Sequence, residues 1–207
     1  MNEKLQFMPT ITDALAIATK NMASIVVAVL LWAITIWIPY VNVGTTIALA
    51  TLPVKLSKGE VISPTFIFDS EYRHIMGEYF ILQAIIGTAV STAMLFMIIP
   101  GIVLGLSWML AVYLLLGKKM NWADCLPESN RLMMGYKFKV CCIKFAVLLG
   151  AIIIGIIIAK ILSGFLCFLL LLLFVVLIQC VSISIDAVIY RELVLTDEEK
   201  EETTDAF

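Results

Sequence analysis

Polar and apolar positions in this chain fall into long blocks rather than a short alternation. Asn21 to Val54 and Tyr79 to Gly117 contain no charged residue and no histidine, and Phe145 to Ile185 contains only Lys160. A helix needs about 20 apolar residues, at ~1.5 Å each, to cross a hydrocarbon core ~30 Å thick. Each block is too long for one crossing and carries a breaker near its middle: Pro39, Pro100-Gly101 and Ser163-Gly164. Proline lacks a backbone donor and disfavours helical geometry in the residue before it. The pattern therefore predicts three helical hairpins made of segments 22–38, 41–54, 79–99, 101–116, 145–162 and 165–185. That is an all-α polytopic membrane fold. At the helical rise, segments 41–54 and 101–116 would reach only about 21 and 24 Å. Such short pieces imply tilted neighbours, local thinning of the bilayer, or a re-entrant helix, and 41–54 is the weakest span.

Charge supports this reading. If every block is a hairpin, all of the 14 Lys and Arg except Lys160 share one compartment, as do the 16 Asp and Glu. The positive-inside rule makes that compartment the cytoplasm, with both termini in it. Three long kinked spans would scatter these charges over both sides. Residues 1–196 then form one membrane domain, and 197–207 an acidic cytoplasmic tail. Its acids face a basic loop, Lys118 to Lys144, and attraction between them competes with a solvated tail. Lys4 leads into a mixed polar stretch, so no secretory signal is expected.

Composition narrows the function classes. The chain is 62% hydrophobic and 14% charged, against roughly a quarter charged in soluble domains, and its mean hydropathy is +1.04. Its partner is a lipid bilayer. A formal net charge of −2 offers no footprint for nucleic acid. The five cysteines lack C-x-x-C spacing and read as reduced fillers, with neither disulfides nor zinc implied.

Each hairpin is preceded by a mixed stretch suited to the membrane surface: 11–20, 64–78 and 121–137. Thr10-x-x-Asp13 has the form of a helix start. Asp13-Ala14-Leu15 leads to Lys20 much as Asp124-Cys125-Leu126 leads to Arg131, so the units read as an internal repeat. Ile99-Pro100-Gly101-Ile102, an aromatic-rich span, a basic loop, then Asp124 to Leu126, Ser129, Leu132-Met133 and Gly135 carry a resemblance. The chain resembles a broad bacterial family of six-span inner-membrane proteins, related to the membrane domain fused to some glycerophosphodiester phosphodiesterases. The resemblance implies a six-span architecture in a bacterial inner membrane. The chain departs from the fused members in having no room for their catalytic domain, and from the family pattern at Pro127. No catalytic residue is carried across.

Candidate chemistry is sparse. The single histidine lies in Glu71-x-x-His74 with Glu78 beyond, potential ligands on one helical face. A carboxylate–histidine site normally needs that motif twice, so a solvated face is the simpler reading, and no metal or other cofactor is expected. No G-x-S-x-G and no Gly-rich phosphate loop is present, and an enzyme is not expected. Ionisable groups in membrane segments are functional candidates because burying them is costly. Lys160 can snorkel to the outer surface as an anchor. Asp186, with Ser182 and Gln179 on its face, is either an interfacial carboxylate or a proton or ion ligand.

Small residues at four-residue spacing allow close helix approach in lipid. Gly101 and Gly105 do so in the fourth segment, and Ala151, Gly155 and Ala159 in the fifth. Gly44 with Ala48, and Gly87 with Ser91, add weaker examples. The fifth segment, otherwise isoleucine-rich, is the candidate face for a homo-oligomer or another membrane protein. Trp37 and Tyr40 suit the outer interface, and Trp122 and Tyr136 the inner one.

Two functions follow. One is a non-enzymatic module acting through helix association, as an accessory, organising or immunity-type membrane protein. The other is a small oligomeric channel or transporter with a pathway along the repeat axis. Transporters carry paired polar or broken elements at midplane. The midplane polar residues here (Thr35, Gln83, Thr88, Ser91, Thr92, Ser107) are modest, which favours the association module.

Overall fold

The computed structural model describes residues 5–60, 62–161 and 164–196, and among these the chain is all helical, with no strand. The acidic tail and the Ser163 breaker lie outside the described residues. Among the described residues, five helical stretches are long and apolar enough to cross a membrane: Phe7–Thr35, Met76–Phe96, Ile98–Lys118, Lys137–Ile161 and Gly164–Leu195.

The first hairpin pairs α1 (Phe7–Thr35) with α2 (Pro39–Ser57). α1 is one continuous helix, so the expected surface helix over 11–20 is fused to the first span. It also starts before Thr10-x-x-Asp13. Pro9 lies in its first turn, where a missing N–H leaves no intrahelical bond unmade, and the Thr10 hydroxyl donates to the Gln6 carbonyl at 2.6 Å. Asp13, released from capping, pairs with Arg191 at 2.6 Å. Pro39 acts as a breaker by opening α2 at its first position.

α2 is long enough to span but is not among the five apolar stretches. Its low apolarity has a packing cause, since Thr45, Thr51, Pro53 and Ser57 are buried against protein rather than lipid. The stem of Arg73 packs on Gly44, and its guanidinium lies 5.7 Å from the Tyr40 ring. The hairpin topology expected from charge and interfacial aromatics places Tyr40 and Arg73 at opposite surfaces. Their contact brings the first turns of α2 beside a segment that follows its own C-terminus.

After a 3-10 turn (Pro64–Phe68) and the short α3 (Glu71–His74), the second hairpin comprises α4 (Met76–Phe96), α5 (Ile98–Ser107) and α6 (Ala111–Lys118). The reversal falls at extended Met97, not at Pro100, which sits harmlessly in the first turn of α5. Gly101 makes the tight return: a Cβ there would lie 2.8 Å from Met94 Sδ and 2.9 Å from its Cα. The expected single span 101–116 is a broken one, interrupted at Trp108–Leu110.

Lys119, with φ of 52°, ends α6. α7 (Trp122–Leu132) follows, capped by the Asn121 side chain accepting from the Ala123 N–H at 3.1 Å. Pro127 lies inside α7 without ending it. The three surface stretches thus take three local forms: fused to a span, a 3-10 turn with α3, and a free-standing helix. The last hairpin is α8 (Lys137–Ile161) and α9 (Gly164–Tyr190), continued by a π-helical turn over Arg191–Leu195. Both helices extend past the expected 145–162 and 165–185, drawing Lys144 and Asp186 into the bundle. α9 is the centre of assembly, packing on α1, α2 and α8.

Candidate functional site

The break between α5 and α6 frees backbone groups that lipid cannot satisfy. Ser129 of α7, fully buried, supplies both partners. Its hydroxyl donates to the Ser107 carbonyl at 2.8 Å and accepts the Leu110 N–H at 3.2 Å. The ten residues of α5 place the break about 15 Å along the helix from the α4–α5 turn.

Beside the break lies a cavity of about 360 Å³, walled by α1, α2, α4, α6 and α9. Apolar side chains such as Val29, Leu49, Met109 and Ile183 make most of its surface. Gln179, Ser182 and Asp186 line it from one face of α9, because spacings of three and four residues align side chains on a helix. Gln83 joins them from α4 and donates to the Tyr79 hydroxyl at 3.1 Å. Trp32 and Thr46 close another part of the wall, the indole N–H donating to Thr46 Oγ1 at 2.9 Å.

Asp186 is the focus of the polar groups. The Tyr113 hydroxyl donates to Oδ2 at 2.9 Å, and Lys144 Nζ of α8 lies 2.8 Å from Oδ1. Oδ1 thus takes its charge compensation from the lysine ammonium, at a distance typical of a charge-assisted pair. The pair is unequally sheltered, with side-chain exposures of 13% for Asp186 and 35% for Lys144. A sheltered carboxylate needs its cation, and removing either partner leaves the other uncompensated. Tyr113 is itself held edge-on to Tyr190, with ring centroids 6.3 Å apart.

The remaining sequence candidates are scattered. Lys160 is exposed at the end of α8. Gly101 and Gly105 face Met94 and Val90 of α4, and Gly155 faces Phe174 of α9. These glycines serve contacts within hairpins. Ala151 is half-buried and Ala159 exposed. Thr88, Ser91 and Thr92 are exposed on α4, away from the cavity, while Thr35 is buried and hydrogen-bonded to Thr45 at 2.9 Å. Ile75 interrupts the helix between His74 and Glu78, and Glu71 pairs with Lys119 at 3.2 Å. Among the described residues no cluster of three His, Cys, Asp or Glu side chains could hold a metal.

Asp186, Ser182 and Gln179 are legible in the sequence pattern, whereas Tyr113, Lys144, Trp32 and Thr46 are not. One signal was available: Lys144 and Asp186 stand at nearly equal distances on either side of Gly164, so an antiparallel hairpin brings them level. The described residues thus form an all-helical, multi-pass membrane protein with a half-open, mostly apolar cavity between its helices, furnished by Gln83, Gln179, Ser182 and Asp186. No family model matches it, and no curated protein or solved structure does either.

Proposed function

We propose that this protein binds and passes a small molecule through its helix bundle, a transporter- or channel-type role without covalent chemistry. The observation that carries the reading is the cavity at the broken α5–α6 span, with the Asp186–Lys144 pair on its wall. Small-molecule sites are concave, largely apolar and furnished with a few convergent polar groups. In transport proteins they gather where helices are interrupted in mid-membrane. The association role rests on the outward faces of α8 and α9, which lipid covers equally well, and the glycine of the α8 stripe is already occupied by Phe174. The cavity therefore weighs more. Nucleophilic catalysis lacks support, since His74 is exposed on α3 and is not part of the cavity wall. The basic-residue distribution and the family resemblance support a bacterial inner membrane with both chain ends in the cytoplasm.

Water access tests the reading. A cysteine at Ser182, in a background without the native cysteines, is expected to react with a charged, water-borne thiol reagent in intact membranes. A cysteine at Ile153, on the outward face of α8, is expected to stay unlabelled. Equal inertness at both positions overturns the proposal.

A further inference from the structure

We propose that the cavity is a site for a primary ammonium group carried on a small apolar body, and that Lys144 holds the ammonium position when the site is empty. This rests on the cavity being a binding site. Asp186 is the one charged side chain on its wall among the described residues. Tyr113 engages Oδ2, and Lys144 Nζ lies 2.8 Å from Oδ1. Ionised carboxylate oxygens have room for about four hydrogen bonds between them, so each oxygen keeps an unused lone pair beside its present partner.

The lysine that compensates Asp186 comes from behind. Lys144 is not part of the cavity wall, and with its side chain 35% exposed it can withdraw without crossing the core. An incoming –NH3+ would replace one ammonium by another, leaving the net charge of the site unchanged. An anion would face Asp186, and a neutral ligand would leave the ion pair in place with nothing to replace. Ser182 and Gln179, one and two turns along α9 from Asp186, offer oxygen acceptors for the other N–H groups of the ammonium. At the Trp32 end the indole N–H is already spent on Thr46, which leaves an apolar ring face for the body of the ligand. About 360 Å³ accommodates a body the size of a phenyl ring.

The test uses the full chain in phosphatidylcholine nanodiscs, titrated calorimetrically with phenethylammonium chloride and with its uncharged counterpart 2-phenylethanol. The amine is expected to bind saturably and roughly tenfold tighter than the alcohol, because only it satisfies a buried charged acceptor. Asp186→Asn is expected to remove that preference. Lys144→Met is expected to tighten the amine several-fold, since the internal competitor is gone; a merely structural ion pair predicts weakening. Ser182→Ala, a small change that spares the ion pair, is expected to weaken the amine and leave the alcohol unchanged. Discs containing phosphatidylethanolamine separate two sources of the same chemistry. Weakened amine binding there assigns the site to the lipid headgroup, and unchanged binding assigns it to a free amine. Equal binding of amine and alcohol, or weakening by Lys144→Met, overturns the ammonium site while the cavity reading stands. Binding of neither, together with an unlabelled Ser182→Cys, overturns both.

Discussion

The hydroxyl of Ser129 holds together a broken helix to which it does not belong. It satisfies one carbonyl and one amide at the α5–α6 interruption, and an orphaned buried backbone group costs about 1–3 kcal/mol. Ser129→Ala is expected to destabilise the protein by roughly that amount, read as a lowered thermal midpoint in detergent; an unchanged midpoint would mean that the break is held by other contacts. Cys125, buried on α7, carries a different lesson. Burial, followed by the nearby Asp124 and Glu78 charges, pushes its thiol up from 9.0 to about 11. An acid whose folded pKa is raised favours its neutral form. The resulting stabilisation is complete below the unfolded value of 9.0 and lost as the pH climbs towards about 11. The thiolate is the nucleophile, so Cys125 is expected to resist maleimide at neutral pH and react on unfolding. Rapid labelling of the native protein would contradict that.

At the scale of helices, two glycines with the same sequence signature do different work. A Cβ at Gly101 would collide with Met94, side chain and backbone alike, whereas a Cβ at Gly155 would meet Phe174 at an ordinary 3.8 Å. Gly101→Ala is therefore expected to cost about 1–3 kcal/mol through overpacking, with Gly155→Ala nearly neutral in the same melting assay. Equal losses would show that the α4–α5 return is looser than its contacts imply. The sequence pattern made the hairpins legible because an uninterrupted apolar run has few other homes, and it exposed Asp186 as an acid at the end of such a run. It could not show that α2 turns Thr45, Thr51 and Pro53 inward, because a helix buried in protein is released from the apolar composition that lipid demands. Nor could it show the break at Trp108–Leu110. That interruption has no proline; it exists because Ser129, distant in the chain, compensates it. Lys144 was hidden for a related reason: α8 starts two turns earlier than its uncharged run, and the cost of that lysine is offset by a carboxylate on the next helix.

Across the whole molecule, burial runs opposite to the habit of a water-soluble domain. The outward faces of α8 and α9 are almost entirely Ile, Leu and Phe, with Ile153 57% and Phe165 79% exposed, while the polar contacts of Asp186, Tyr113 and Ser129 lie inside. In water such a surface would drive aggregation; in lipid it is the solvated surface, and polarity is confined to where protein can satisfy it. Depth should then matter more than exposure. Ile153 lies about 12 Å from the end of α8, deep in the hydrocarbon, whereas Phe165 stands at the very start of α9. An arginine in mid-span costs about 2.5–3.5 kcal/mol for insertion, and one at a helix end can snorkel to water. Ile153→Arg is expected to lower the membrane-inserted fraction sharply and Phe165→Arg to leave it close to the unsubstituted level, although Phe165 is the more exposed of the two. Equal tolerance at both positions would mean that the α8 face meets water or another protein rather than lipid.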